Sequence, residues 1–127
     1  MAGISPNTVI RVPSSREDIF RHWLAFLFPF HHLTERETDI AVAFLKERHE
    51  LSKVITDNEL LDRILMSEET HRKIRQECGV TSQHFQVIKS KLKSKRFFIE
   101  NRINPKLIPN IKDDKDSFQL LLVFPLV

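Results

Sequence analysis

Through most of this chain the apolar residues recur at intervals of three and four, and only near its end do they gather into runs and near-alternation. Ile19, Phe20, Trp23, Leu24 and Leu27 fall on one side of a helix that Ser14 and Glu17, an S-x-x-E pair, would cap and that would end near Pro29. A second such pair, Thr34 with Glu37, opens a helix with an apolar stripe of Ile40, Ala41, Phe44 and Leu45, closed off by Arg48. Asp57 starts a shorter helix expected to bury Leu60, Leu61, Ile64 and Leu65. Ser67, followed by Glu68 and Glu69 at the positive end of the helix dipole, starts another that carries Ile74 and stops at Cys78-Gly79. Ahead of them all, MAGISPNTVIRVP, with Gly3, Pro6 and Pro13, has no helical period and reads as an extended arm.

Gly79 sits just past a helix and two residues before Thr81-Ser82. That placement fits a left-handed C′ residue followed at once by a new N-cap, so the expected unit is helix, tight turn, helix. On the second helix Phe85, Ile88 and Leu92 share a face. Steps of about 100° per residue put Gln83, Gln86, Ser90 and Lys93 opposite, with Lys89 on one flank and Val87 on the other. After Arg96 the period changes: RFFIENRI is aromatic and β-branched, and SFQLLLVFPLV at 117–127 has the composition and length of a strand. NPKLIPNIKDDKD between them reads as the long loop of a hairpin.

Composition adds a bound and charge adds a location. The 127 residues, 41% hydrophobic and 29% charged, suit one globular core. A net charge of +3 suggests no polyanion partner, yet the cations are uneven. Residues 1–50 hold six Lys/Arg against seven Asp/Glu, whereas 89–106 hold Lys89, Lys91, Lys93, Lys95, Arg96, Arg102 and Lys106 against Glu100 alone. Such a local positive field is the electrostatic footprint of phosphate binding, although a lysine-rich helix face is also what ordinary solvated surface looks like.

Candidates for other chemistry fail on spacing. Cys78 is the single cysteine, so it supplies neither an internal disulfide nor a zinc cluster and points to a reducing compartment; at a helix C-terminus its thiol is held back from ionising. His31 and His32 are adjacent and diverge on regular structure, reading as a surface pair or aromatic-stacking residues and not as metal ligands. His71, beside Arg72 and Lys73, reads as part of a solvated or phosphate-near face and not as a catalytic base. Two glycines leave no P-loop or dinucleotide fingerprint. No catalytic group, cofactor or metal site is therefore expected. WLAFLFPF at 23–30 is too short to span a bilayer, so the chain reads as soluble and not secreted, cytoplasmic and nucleoid-associated or part of a virion.

IRQECGVTSQHFQVIKSKLKSKRFF, residues 74–98, resembles the helix-turn-helix and first wing strand of winged helix DNA-binding domains. Ile74 stands five positions before the turn glycine Gly79, Val80 follows it, Phe85 and Ile88 take the buried positions of the recognition helix, and Leu92 through Ile99 form the exit into the wing. LTERETDIAVAFL at 33–45 is similar to the first helix of such domains. Departures occur at Arg75, where the family prefers a small alanine, and at Phe85, where Val or Ile is usual. The resemblance implies a mostly α fold with a small β-hairpin: a winged helix-turn-helix domain over 33–127, preceded over 1–32 by the arm and an extra aromatic helix. It further implies binding to nucleic acid, duplex DNA first. Thr81 and Ser82 would meet a phosphate, and Gln83, Gln86, Ser90 and Lys93 would enter the major groove. Lys89, Lys91, Lys95, Arg96, Arg102 and Lys106 would neutralise phosphates.

The aromatic helix, IFRHWLAFLFPFHH, carries more apolar surface than one stripe requires. Phe20, Trp23, Phe26, Phe28 and Phe30 are candidates for an oligomer or assembly interface, or for burial between the domain and its arm. Three function classes stay open: a DNA-binding regulator or genome-associated factor, a non-enzymatic structural component of a phage particle or other assembly, and an adaptor docking through LLLVF. The expected partners are nucleic acid and further copies or partner proteins, without a membrane.

Overall fold

The computed structural model describes residues 9–127, so the first eight residues of the expected arm lie outside it, and 9–13 are exposed without regular structure. Six helices and a two-stranded antiparallel hairpin follow: α1 (Ile19–Phe26), α2 (Phe28–His31), α3 (Glu35–Ser52), α4 (Asn58–Leu65), α5 (Glu68–Cys78), α6 (Ser82–Ser94), β1 (Phe98–Ile99) and β2 (Arg102–Ile103). The central element is α3, with α1, α4, α5 and α6 all packed on it. Its Ile40, Ala41, Phe44 and Leu45 stripe is buried as expected, and Val42 and Ala43 are buried too, as a helix covered on several sides requires.

Capping explains most helix starts. Thr34 Oγ1 accepts from the Glu37 N–H while the Glu37 carboxylate accepts from the Thr34 N–H, completing the reciprocal box. Asp57 Oδ1 accepts from the amides of Glu59 and Leu60, and Ser67 Oγ from that of Thr70. At Gly79, φ is +64°. The Val80 N–H reaches Arg75 O at 3.1 Å and the Gly79 N–H reaches Gln76 O at 3.3 Å, the two bonds of a Schellman turn. Thr81 then caps α6 by accepting from the His84 N–H. The helix, left-handed turn and helix expected around Gly79 are therefore present.

Three local expectations are corrected. Ser14 and Glu17 form no capping box, because the Ser14 hydroxyl pairs with His22 Nδ1 at 2.6 Å and the Glu17 carboxylate with Lys46 Nζ at 2.8 Å. The first helix then begins at Ile19 and ends at Phe26, and Pro29 falls inside the first turn of α2, where its missing N–H has no helical partner to lose. Leu60 faces solvent, since α4 buries Leu61 and Leu65, four residues apart, and Leu60 lies about 100° off that line.

The hairpin is also smaller than the sequence suggests. Phe98 pairs with Ile103 and Ile99 with Arg102 across a two-residue turn, Glu100-Asn101, whose φ values of 54° and 59° are both left-handed, as a type I′ turn requires. Residues 117–127, expected as the second strand, have no ladder partner and form a segment without regular structure, exposed apart from the half-buried Phe118. The chain is led away from β1 before it reaches them. The Trp23 indole N–H bonds Leu107 O at 2.9 Å, Arg16 bonds the carbonyls of Lys112 and Lys115, and His49 bonds Asp113. Residues 107–115 are thereby strapped to α1, α3 and the chain just before them.

One core joins all these parts. Phe20, Trp23, Leu24 and Leu27 belong to the same buried cluster as Phe44, Phe85, Phe97 and Ile103.

Candidate nucleic-acid interface

Core packing fixes which face of α6 looks outward. Phe85, Ile88 and Leu92 are buried against α3, so Thr81, Ser82, Gln83, Gln86, Ser90 and Lys93 are exposed, as their spacing predicts. The helix ends by the device that precedes it. Arg96 adopts φ +65°, the Phe97 N–H bonds Leu92 O at 2.9 Å and the Arg96 N–H bonds Lys93 O at 3.1 Å, a second Schellman turn with arginine at the left-handed position. The Arg96 side chain is left exposed beside the start of the hairpin, and Arg102 is exposed on β2. Lys106 lies beyond the hairpin, in a single 3-10 turn over Pro105–Leu107.

Four of the expected residues meet the hairpin in one cleft. Gln86, Lys89, Ser90 and Lys93 line a volume of about 240 Å³ together with Met66, Phe98, Glu100 and Asn101. Glu100 and Asn101 were missing from the sequence-derived site, because that reading placed the hairpin turn after residue 104. The available signal was Asn101 between Ile99 and Ile103, a residue type that tolerates positive φ. Lys89 is only half-exposed on the cleft wall. Burial, reinforced by the Lys93 ammonium and opposed by Glu68, holds its pKa below the usual lysine value.

Lys95 does not belong to this face. Its Nζ stands 2.6 Å from Glu37 Oε1 and 3.0 Å from His32 O, tying the end of α6 to the first turn of α3. Burial pushes the Glu37 carboxyl up, but the Lys95 ammonium and the Thr34 N–H outweigh it, and the net pKa is lowered.

Many cations elsewhere are similarly matched, although among the described residues Arg11, Arg16, Arg72, Lys112 and Lys115 are not. Arg21 pairs with Asp39 at 2.8 Å, Lys46 with Glu17 at 2.8 Å, Lys73 with Glu47 at 2.9 Å, Arg75 with Glu68 at 2.9 Å, and Lys53 with Glu50 and Asp113. Among the described residues, Lys89, Lys91, Lys93, Arg96, Arg102 and Lys106 have no carboxylate within ion-pair distance. The unmatched positive charge of 89–106 is thus gathered on α6, the hairpin and the turn after it.

Behind α6 lies a group the sequence misassigned. His71, expected on a solvated face, is 3% exposed, between the rings of Phe44 (centroids 5.7 Å apart) and Phe85 (5.3 Å), and its Nε2 has no hydrogen-bond partner. Burial first, then the positive charges of Lys89 and Arg75, outweigh the opposing Glu68 carboxylate and bring its pKa down to about 4. Arg75 is accommodated beside the helix pair. Its guanidinium lies 5.6 Å from the Phe85 ring centroid and is held by Glu68, while α5 and α6 each pack on α3.

Of the proposed aromatic interface, Phe20 and Trp23 are core residues and unavailable to a partner, whereas Phe26, Phe28 and Phe30 are exposed. His31 is buried, so of its two expected readings the surface one fails, with Nδ1 accepting from the Leu33 N–H at 2.9 Å and Nε2 donating to Leu24 O at 2.6 Å. It stacks edge-on with Phe28, as does the exposed His32. The Cys78 thiol pKa is raised by burial and by Asp39 and Glu77, with Arg36 and Arg21 opposing. Among the described residues, no three His, Cys, Asp or Glu side chains gather to hold a metal ion, and no helix is long and apolar enough to cross a membrane. No family model, curated protein or solved structure matches this chain.

Proposed function

We propose that the chain binds nucleic acid, duplex DNA first, through the outward face of α6 and the hairpin beside it, acting as a non-catalytic module of the winged-helix type. The observation that carries this reading is the charge pairing. Every Lys and Arg on α1, α3 and α4 has a carboxylate partner, whereas six of the seven from Lys89 to Lys106 have none, the densest run of unpaired cations among the described residues; Arg11, Arg16, Arg72, Lys112 and Lys115, also unpaired, are scattered. A protein that spends its acidic side chains elsewhere leaves these groups for an external anion, and a polyphosphate backbone is the anion whose charges are spaced along a line.

The division of labour follows from position. Lys89 and Lys93 on one flank of α6, Lys91 on the other, and Arg96 and Arg102 toward the hairpin neutralise phosphates. Gln83 and Gln86 have the paired donor and acceptor that adenine N7 and N6 require, and Lys93 can reach guanine. Glu100, at the turn, keeps phosphates out of the cleft by like charge and leaves it to base edges, where a carboxylate accepts from cytosine N4.

The test is fluorescence anisotropy of a labelled random duplex over a salt series. Five phosphate contacts give a log–log slope of about −4.5. Binding that is independent of salt, or that survives unchanged in the double variant Lys91→Glu, Lys93→Glu with its circular dichroism intact, would overturn the reading.

A further inference from the structure

Two uncharged apolar surfaces have no partner among the described residues. The first is the rim where α1 passes into α2: Phe26, Phe28 and Phe30 are 54%, 51% and 73% exposed, while Leu24 and Leu27 beside them are buried. The second is the chain beyond Phe118. That ring packs edge-on against Trp23 at 5.4 Å, and every residue from Gln119 onward is exposed. Residues 117–127 include Leu120, Leu121, Leu122, Val123, Phe124 and Leu126 and contain no charged side chain. Single exposed apolar residues are ordinary, but a continuous apolar segment beside an aromatic rim marks an interaction surface.

We propose that residues 119–127 of one copy lie across the Phe26, Phe28 and Phe30 face of a second copy, and reciprocally. Charge is compatible, because Trp23–Phe30 carries no charged residue either, so the contact desolvates no ion. Geometry is compatible as well. The segment leaves the body at Trp23, one helical turn from Phe26, so a twofold axis beside α1 brings each segment to the other copy's rim. Nine extended residues reach about 30 Å, enough to cover α2 and the end of α1. Strand addition offers no alternative seat among the described residues, because each hairpin strand is two residues long. Lying on a surface, the segment also keeps one edge of its backbone in water, so its amides need not be buried unpaired.

The area suffices. Whole phenylalanine side chains bury about 150–250 Å² each. Phe26, Phe28, Phe30 and Phe124, half to three quarters free, therefore offer on the order of 500 Å² per copy. A reciprocal exchange then covers about 1,000 Å², the lower limit for a specific interface, before the leucines are counted. The same segment could fold back on its own rim, yet in the structure both surfaces stay exposed. Concentration dependence separates the two arrangements.

The full chain is studied by sedimentation equilibrium up to about 100 µM, where a micromolar dimer is populated. A reversible monomer–dimer equilibrium is expected. Truncation after Phe118 and the double variant Phe28→Ser, Phe30→Ser should each leave a monomer with unchanged circular dichroism and Tm, because the residues altered are exposed. In a Cys78→Ser background, mixing Phe28→Cys with Leu122→Cys should give a disulfide-linked heterodimer on oxidation. A monomeric parent overturns the proposal, as does a dimer that survives truncation. A Phe28→Cys, Leu122→Cys double variant that cross-links only within one chain overturns it equally, in favour of folding back.

Discussion

Neighbouring lysines on α6 should behave in opposite ways. Lys93 is exposed and without a carboxylate partner, whereas Lys95, two residues on, is bonded to Glu37 and to His32 O. On the proposed interface Lys93→Gln removes one phosphate contact, so the salt slope should shrink by about 0.9 while stability stays within about 0.5 kcal/mol of the parent. Lys95→Gln removes no free charge and leaves the slope unchanged, but it strands the buried Glu37 carboxylate at a cost of about 1.5–3 kcal/mol. For a chain of this length that lowers Tm by roughly 5–12 °C. The sign of the pH dependence follows from Glu37. Its folded pKa is depressed, so the contribution is present above the ordinary glutamate value and is lost as pH falls through the folded one. The acid limb of stability should therefore flatten in Lys95→Gln. Anisotropy titrations between about 50 and 200 mM salt, paired with thermal melts followed by circular dichroism, measure both quantities. A Lys95→Gln variant that lowers the slope as much as Lys93→Gln, or that melts with the parent, would refute the division of α6 into an outward face and a tethered end.

The two turns bounding α6 make a mirrored pair. An added Cβ at Gly79 meets nothing within 4 Å, so Gly79→Ala should cost about 1–2 kcal/mol through its left-handed backbone alone, read in denaturant melts. Arg96→Gly relieves that same strain and should stabilise by about 0.5–1 kcal/mol, while the salt slope falls by about 0.9. His71, neutral in the fold with a pKa near 4, should withdraw up to ~3 kcal/mol of stability as pH falls from 6.5 toward 4, because the unfolded chain takes up the proton first. His71→Leu should abolish that part of the pH dependence, and an unchanged profile would show that another group supplies it. Trp23→Ala should destabilise by about 3–5 kcal/mol through lost core volume, together with the bond to Leu107 O, measured by chemical denaturation.

Elements specified by their own local chemistry were legible in the sequence. Thr34 with Glu37, Asp57, Ser67, Gly79 and Thr81 each act within a few residues, so their types announce helix ends and a turn directly. Elements decided by distant partners were not. Ser14 and Glu17 match the capping pattern, but His22 and Lys46 compete successfully for their side chains. Lys95 looks like its neighbours until Glu37, distant in sequence, is brought beside it. His71 lies in a charged stretch, and only the placement of Phe44 and Phe85 buries it. The strand expected at 117–127 failed for the same reason. Strand composition states that a segment can pair, and the straps from Trp23 and Arg16 decide that β1 is not within its reach.

The orientation of α6 is the step on which the outward face depends, and its alternatives can be weighed. Turning the helix by one residue, about 100°, would put Gln86, Lys89 and Lys93 in the places of Phe85, Ile88 and Leu92. Each displaced apolar side chain gives up roughly 1.5–3 kcal/mol of burial, and each buried ammonium without a carboxylate costs several kcal/mol more. The backbone enforces the same choice at both ends. Gly79 and Arg96 each close a Schellman turn, and the caps fix where the first and last amides point. Phe85 also stacks on Phe44 at 6.2 Å and packs on His71 at 5.3 Å, contacts that a polar replacement would lose. With one orientation this far below its neighbours, the lysines between Lys89 and Lys93 cannot be drawn inward to find partners, and their charge stays available at the surface.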